Sequence, residues 1–373
     1  VLAVGGGAAA WWGLSNRAGS GPFDIPAAVE TPQAKVLDTQ KGDYVLGETP
    51  APLWSISSAV PADSPAPLPV RDVIVVAAPE GGIAARSVVD GTVRWTAAKV
   101  SDRLVAAADG DGSLVTFVAS TGKPKWTAPA DAAWLLAADD EAVYVVTGDR
   151  RVRSVGRSDG RIRWTVGVDA DLGADAASRG LAARGRLVVT AADGTVVALD
   201  TADGRRVWDR RKQSDDGRAK VALSGRVLCV TGKNLTAVDV VDGKELWSAE
   251  NPKPPNGTPV FWGPPTIHGD HVYATVLTFP LRYDLRTGRG TDWVFQTLIE
   301  CDPPSPLVVQ GNGLWSVTVN RTEGGINVVD LSEGNKTTWV FRIVKNPDRY
   351  WITADGNRVF LLDGTTLAAL PVF

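Results

Sequence analysis

The chain has 373 residues, 44% hydrophobic and 22% charged, with a formal net charge of −3. That balance describes a globular protein with ample material for a core, and it makes no electrostatic case for a nucleic-acid binder. Two Cys (Cys229, Cys301) and two His (His268, His271) exclude a disulfide framework, a four-Cys zinc site and a His-rich metal centre.

Residues 1–14, VLAVGGGAAAWWGL, are apolar and uncharged. A spanning helix needs about 20 such residues, so the stretch reads as the outer part of a truncated membrane or signal segment. Trp11 and Trp12 would sit at the interface. The absence of Met points the same way, to a processed chain or a piece of a longer one. Residues 15–52 are rich in Pro, Gly and Ala without sustained periodicity, as in a linker or stalk. The expectation is contact with a membrane through the N-terminal segment, with residues 53–373 extracytoplasmic, either anchored or secreted.

From there a short phrase recurs. It reads DGTVRW at Asp90–Trp95, TGKPKW at Thr121–Trp126, DGRIRW at Asp159–Trp164, DGRRVW at Asp203–Trp208 and DGKELW at Asp242–Trp247. Two copies one residue longer end at Trp293 and Trp339, and Trp54 fits as a copy of the Trp strand alone. Successive Trp are 31 to 46 residues apart. Between them lie short β-branched runs such as RLVVTAADG and TVVALDTADG. Asp-Gly between such runs signals a hairpin, the type I′ turn needing positive φ at both central residues. No helical period of 10 or more residues interrupts the series.

Four-stranded units of about 40 residues bury both faces only when stacked around an axis. The expected fold is therefore all-β: an eight-bladed β-propeller of four-stranded blades over residues 53–373. The strands RVFLLDG and TTLAALPVF lack a Trp strand after them, and Trp54 lacks a blade before it. The N-terminal Trp strand thus closes the ring and removes the open edge. The 31-residue step from Trp95 to Trp126 leaves little room for an inner strand, so seven blades is the alternative.

The phrase A-x-D-x-x-x-G-x-x-x-W fits Ala198, Asp200, Gly204 and Trp208, and again Ala237, Asp239, Gly243 and Trp247. It resembles the tryptophan-docking motif of pyrroloquinoline-quinone-type propellers. The resemblance implies structural docking, each of Trp54, Trp95, Trp126, Trp164, Trp208, Trp247, Trp293 and Trp339 packing between neighbouring blades. Quinone enzymes of that family use vicinal Cys, calcium and an Asp base. Cys229 and Cys301 are 72 residues apart, so neither a quinone cofactor nor a catalytic residue is expected.

Other candidates carry bland readings. His268 and His271 flank a Gly-Asp turn and read as a surface hairpin rather than a metal site. Asp109-Gly-Asp111 and Asp169-Ala-Asp171 lack the Glu and helices of a calcium loop; no metal is expected. Aromatics outside the repeat remain: Trp134, Trp262, Tyr350 and Trp351 each begin a blade on or just before its inner strand. There they could stack on a ligand or anchor a peptide, against the plainer role of inter-blade packing.

The succession of truncated apolar segment, stalk and ring resembles the extracytoplasmic region of actinobacterial receptor-type serine/threonine kinases. That resemblance implies a non-catalytic sensor binding a small ligand or a protein; the chain itself has no Gly-rich phosphate loop, HRD or DFG signature. An envelope scaffold, like the lipoprotein propeller of outer-membrane protein assembly, is the alternative, and a quinone oxidoreductase the second. The scaffold would call for a lipidated N-terminal Cys, and none precedes Cys229.

Overall fold

The computed structural model describes residues 33, 35, 51–62, 64–70, 72–97, 112–119, 121–173, 179–214, 219–250, 262–276, 279–290, 307–319, 324–331, 338–344, 350–355 and 357–372. Among these residues there is no helix. The expected N-terminal segment 1–14, Trp293 and Cys301 lie outside the described residues.

The strands form eight sheets. After β1 (Trp54–Ile56) come β2 to β5 (Leu68–Val70, Val73–Ala77, Ile83–Ser87, Val93–Ala97), then the pair β6 and β7 (Ser113–Phe117, Pro124–Pro129). A third sheet holds β8 to β11 (Ala132–Ala138, Ala142–Thr147, Val152–Gly156, Ile162–Val166), and a fourth β12 to β15 (Arg179–Ala183, Arg186–Thr190, Val196–Asp200, Arg206–Arg210). Next are β16 to β19 (Lys220–Ser224, Val227–Thr231, Leu235–Asp239, Glu245–Ala249) and β20 to β22 (Thr266–His268, His271–Val276, Phe279–Asp284). The last are β23 to β26 (Val308–Gln310, Gly313–Val319, Gly324–Asp330, Thr338–Val344) and β27 to β29 (Tyr350–Asp355, Arg358–Asp363, Thr366–Leu370).

Within each sheet the strands run as an antiparallel meander in chain order. The closing sheet is the exception, with order β1-β29-β28-β27. There Trp54 pairs with Ala369 and Ile56 with Leu367, so the first strand of the chain becomes the outer strand of the last blade. A ring of blades leaves only the short outer strand of each blade as an edge.

Seven sheets have the three or four strands of a blade. The eighth is the two-stranded pair β6–β7, at the place where the repeat is shortest. Among the described residues the full blades therefore number seven, matching the alternative count, and the expected eighth four-stranded blade is not established.

The core is divided among the seams. Trp54 and Phe360 of the closing blade pack on Ile74 and Val76 of the first. Tyr144 and Trp164 pack on Leu187 and Val197, Trp208 on Val221 and Leu228, and Trp247 on Ile267 and Val272. Trp315 is completely buried between its own blade and Ile352, Val359 and Leu370 of the closing blade. Each four- or three-stranded sheet thus hides both faces against its neighbours, which is why near-continuous apolar runs such as VIVVA and AVYVVT serve as strands here.

Turn chemistry differs from expectation in one respect. In the recurring Asp-Gly phrases the Asp keeps negative φ and only the Gly is positive, as at Gly204 (φ 77) and Gly243 (φ 73). Beyond the turn the pairing slips by one residue: Ala198 pairs with Trp208 but Leu199 with Arg206, and Ala237 with Trp247 but Val238 with Glu245. The phrase therefore encodes a longer turn with a bulge. Positive φ at both central residues occurs instead at Arg184 (φ 55) and Gly185 (φ 72), between β12 and β13.

Candidate functional site

A four-stranded meander alternates its turns between two ends, so the ring has two rims. On one rim lie the turns joining third to fourth strands, and here the tryptophan series is used. The indole N–H of Trp54 donates to the Val88 carbonyl (3.0 Å), Trp95 to Ala119 (2.7 Å) and Trp126 to Arg157 (2.8 Å). Trp164 donates to Thr201 (2.9 Å), Trp208 to Val240 (3.0 Å) and Trp247 to Leu285 (2.9 Å). Every acceptor belongs to the next sheet. Three residues after it comes the Gly of the repeat, and the Trp ring lies over that Gly. A Cβ on Gly204 would stand 2.7 Å from Trp164, and one on Gly243 2.6 Å from Trp208. The Gly thus answers both a backbone need and a packing need.

The remaining motif positions follow from the same geometry. Ala198 pairs with Trp208, and Ala237 with Trp247, keeping the strand beside each indole slim. The Asp200 carboxylate accepts from the Ala202 amide (3.0 Å) and from Arg186 (3.0 Å). Asp239 repeats this with Val241 (2.8 Å) and Arg226 (2.8 Å). The Trp339 side chain lies outside the described residues.

On the opposite rim the seam is made by backbone. The connector into β16 lies between two turns: the Gln213 amide donates to Gly194 (2.9 Å) of the preceding sheet, and Lys233 of its own sheet donates to Gln213 (2.7 Å). The connector into β8 repeats this, Ala132 donating to Gly112 (2.9 Å) and Gly148 to Asp131 (3.1 Å).

The four candidate ligand-facing aromatics stand on this connector rim. Trp134 is the third residue of β8 and is half-buried; Tyr350 and Trp351 begin β27, the first half-buried and the second 41% exposed. Trp262 bridges to Val276 at the end of β21. It is buried and meets Tyr283 edge-on, centroids 5.8 Å apart. The buried Nε1 atoms of Trp134 and Trp262, and the Thr275 Oγ1, make no hydrogen bond within the described chain. Each buried polar atom left so costs about 1–3 kcal/mol, and each offers a donor to a molecule that reaches it. Lys220 donates to the Trp262 carbonyl (3.1 Å), adding a cation to this rim.

The other candidates make the following contacts. Cys229 is a free, fully buried thiol whose pKa burial pushes up to about 12, out of the range of a reactive nucleophile. His268 and His271 pair across their turn on the docking rim. Asp171 accepts from the Gly173 amide (2.8 Å) and Asp169 from Arg211; Asp109 and Asp111 lie outside the described residues. Among the described residues no group of three or more His, Cys, Asp or Glu could hold a metal.

The fold and its docking seams define a β-propeller of the quinoprotein-like repeat class. A family model described as outer membrane protein assembly factor BamB matches residues 110–337, more than half of the chain, and the chain belongs to that family. No curated protein matches it. Among solved structures, the computationally designed Ika8 protein is similar at 13% identity and a TM-score of 0.63, covering 86% of this chain and 99% of that one. BamB from Moraxella catarrhalis is 17% identical with a TM-score of 0.47, over 87% and 97%. The likeness to Ika8 concerns the fold alone.

Proposed function

We propose that the chain is a non-catalytic docking ring of the cell envelope, presenting its connector rim to a protein partner. Membership of a family described by outer-membrane protein assembly supports the scaffold role and an extracytoplasmic or outer-membrane-associated location. The observation that carries the rim assignment is the contrast between the two rims. One consumes its aromatic groups in docking, and the other leaves Trp351 exposed and the Trp134 N–H without an internal acceptor. Exposed aromatics on a rigid rim suit protein anchoring.

A photo-cross-linking residue at position 351, compared with one at Arg184 on the docking rim, tests this in cells. Discrete protein adducts from position 351 alone are expected; equal labelling from both rims would refute it. Adding pyrroloquinoline quinone and calcium to the purified ring checks the non-catalytic part, where a stoichiometric chromophore would argue for an oxidoreductase. The finer reading is a sensor attached to a membrane-anchored serine/threonine kinase. It is supported by the apolar run 1–14 and the Pro- and Gly-rich sequence after it, and an assay for kinase activity in the purified native protein decides it.

A further inference from the structure

Between Gly148 and Trp164 the sequence places six Arg against two Asp, in a chain whose net charge is −3. Arg157 turns inward, 4% exposed, and donates to the Asp139 carbonyl (3.1 Å). Arg150, Arg151, Arg161 and Arg163 are exposed and Arg153 half-buried. Two of them bond to neutral groups. Arg151 donates to the Thr165 carbonyl (3.1 Å), and Arg153 to the Thr165 hydroxyl (3.0 Å) and the Ala130 carbonyl (2.6 Å). The single ion pair among these five arginines, within the described residues, is Arg161 with Asp159 at 3.8 Å, both exposed.

The outer strand of the next blade makes the contrast. Arg206 pairs with Asp209, Arg210 with Glu245, and Arg211 with Asp169 and Asp209. Charges on an outer strand ordinarily blunt its edge against aggregation, and a mixed-sign network does that without a net field. The β11 side is predominantly positive instead, Asp159 being its one paired carboxylate among the described residues. Arg151 and Arg153 are oriented by carbonyl and hydroxyl acceptors, with no carboxylate paired to them among the described residues. Ile162, 49% exposed, sits between Arg161 and Arg163.

We propose that β11 is a docking edge for an extended acidic segment of a partner protein, at a surface separate from the connector rim. β11 is the outermost strand of its sheet, so an added strand could pair along its outer side, displacing Arg151 from the Thr165 carbonyl. Five residues at about 3.3 Å each span about 17 Å, the length of a five- or six-residue segment. Carboxylates along the segment would meet the arginines at both ends, Arg151 and Arg153 at one and Arg161 and Arg163 at the other. An apolar residue between them would cover Ile162. A polyphosphate satisfies the charges but offers neither the backbone donors nor the apolar contact, which is why a peptide is the better occupant.

The test uses the full chain and a labelled twelve-residue peptide of alternating Glu and Val, with the Lys–Val peptide and linear polyphosphate as comparisons. Saturable binding of the Glu–Val peptide is expected, with β11 amides gaining protection from hydrogen exchange and β15 amides unchanged. Affinity should fall at least about tenfold between about 50 and 300 mM salt. Replacing Arg151, Arg153, Arg161 and Arg163 together by Gln should weaken it about tenfold, and Ile162→Asp should weaken it at unchanged salt dependence. Four of the five sites are exposed and Arg153 is half-buried, so circular dichroism checks that the variants fold. Undiminished binding by the fourfold variant overturns the proposal. So does polyphosphate displacing the peptide with no protection on β11. Absence of peptide binding, with the fourfold variant newly self-associating, would make the arginines edge guards only.

Discussion

The two rims use the same residue type in opposite ways. On the docking rim each of six indoles has a carbonyl to donate to and a Gly beneath it. On the connector rim Trp134 and Trp262 keep buried N–H groups without an acceptor in the described chain, and Trp351 stands 41% exposed. The difference teaches that a Trp is structural where a neighbour supplies acceptor and floor, and that of the three on the other rim only Trp351 is open to a partner. Abundance of Trp alone says neither.

The largest expected effect breaks or keeps that distinction. Trp208→Ala should cost about 3–5 kcal/mol, removing a ring 8% exposed together with its bond to Val240. Trp351→Ala should stay within about 0.5 kcal/mol. Urea denaturation of both variants measures this, and equal losses would erase the distinction between the rims.

Glycines sharpen it further. Gly204 and Gly225 both have positive φ, 77 and 60. A Cβ at Gly204 would press on Trp164 at 2.7 Å, whereas one at Gly225 would meet nothing within 4 Å. Gly225→Ala should therefore cost about 1 kcal/mol from backbone strain alone, and Gly204→Ala about 2–4 kcal/mol from strain and overpacking together. Thermal melts of the pair isolate the contact, and matching losses would mean that the indole yields freely.

The docking rim was legible in the sequence because its chemistry is carried by side chains and by glycine. Trp208 needs an indole donor and Gly204 a residue without Cβ at positive φ, so the phrase recurs as a pattern. The first strand joining the last blade was legible too, since an orphan Trp strand and a blade lacking one must satisfy each other. The connector rim was not. Gln213 and Asp131 act there through amide and carbonyl groups, which any residue carries. The turn at Arg184-Gly185 was missed in favour of the Asp-Gly phrases, because Arg carries no turn signature. Trp315 had no role in the repeat; its complete burial against Ile352 and Leu370 follows from tertiary packing that no local pattern encodes. Of the four rim aromatics, position at a blade start could be read from spacing, but exposure could not. Trp262 and Trp351 look alike in sequence, and they differ as buried and exposed.

Buried hydroxyls repeat the comparison at lower energy. Thr353 Oγ1 makes no hydrogen bond in the described chain, while Thr190 Oγ1 donates to the Arg179 carbonyl (3.4 Å). Thr353→Val should be neutral or stabilising by up to about 1 kcal/mol, and Thr190→Val destabilising by about 0.5–1 kcal/mol. Opposite signs in paired denaturation curves are the expected result, and a loss at both would show that Thr353 has an acceptor.

The smallest effect concerns the His268–His271 hairpin on the docking rim. Burial first, and then the charge of His271, hold the His268 pKa below its ordinary value. The folded state thus binds a proton at His268 less readily than the unfolded chain, whose midpoint is about 6.5. Stability from this source is complete above about pH 6.5 and is lost as pH falls toward the folded midpoint. Titration followed by imidazole proton resonances should place His268 below the model-peptide midpoint, and His271→Gln should raise it only part of the way back, because burial is the larger cause. Full recovery in that variant would reverse the order of causes. It would also mean that this turn, unlike the tryptophan seams beside it, is governed by charge and not by packing.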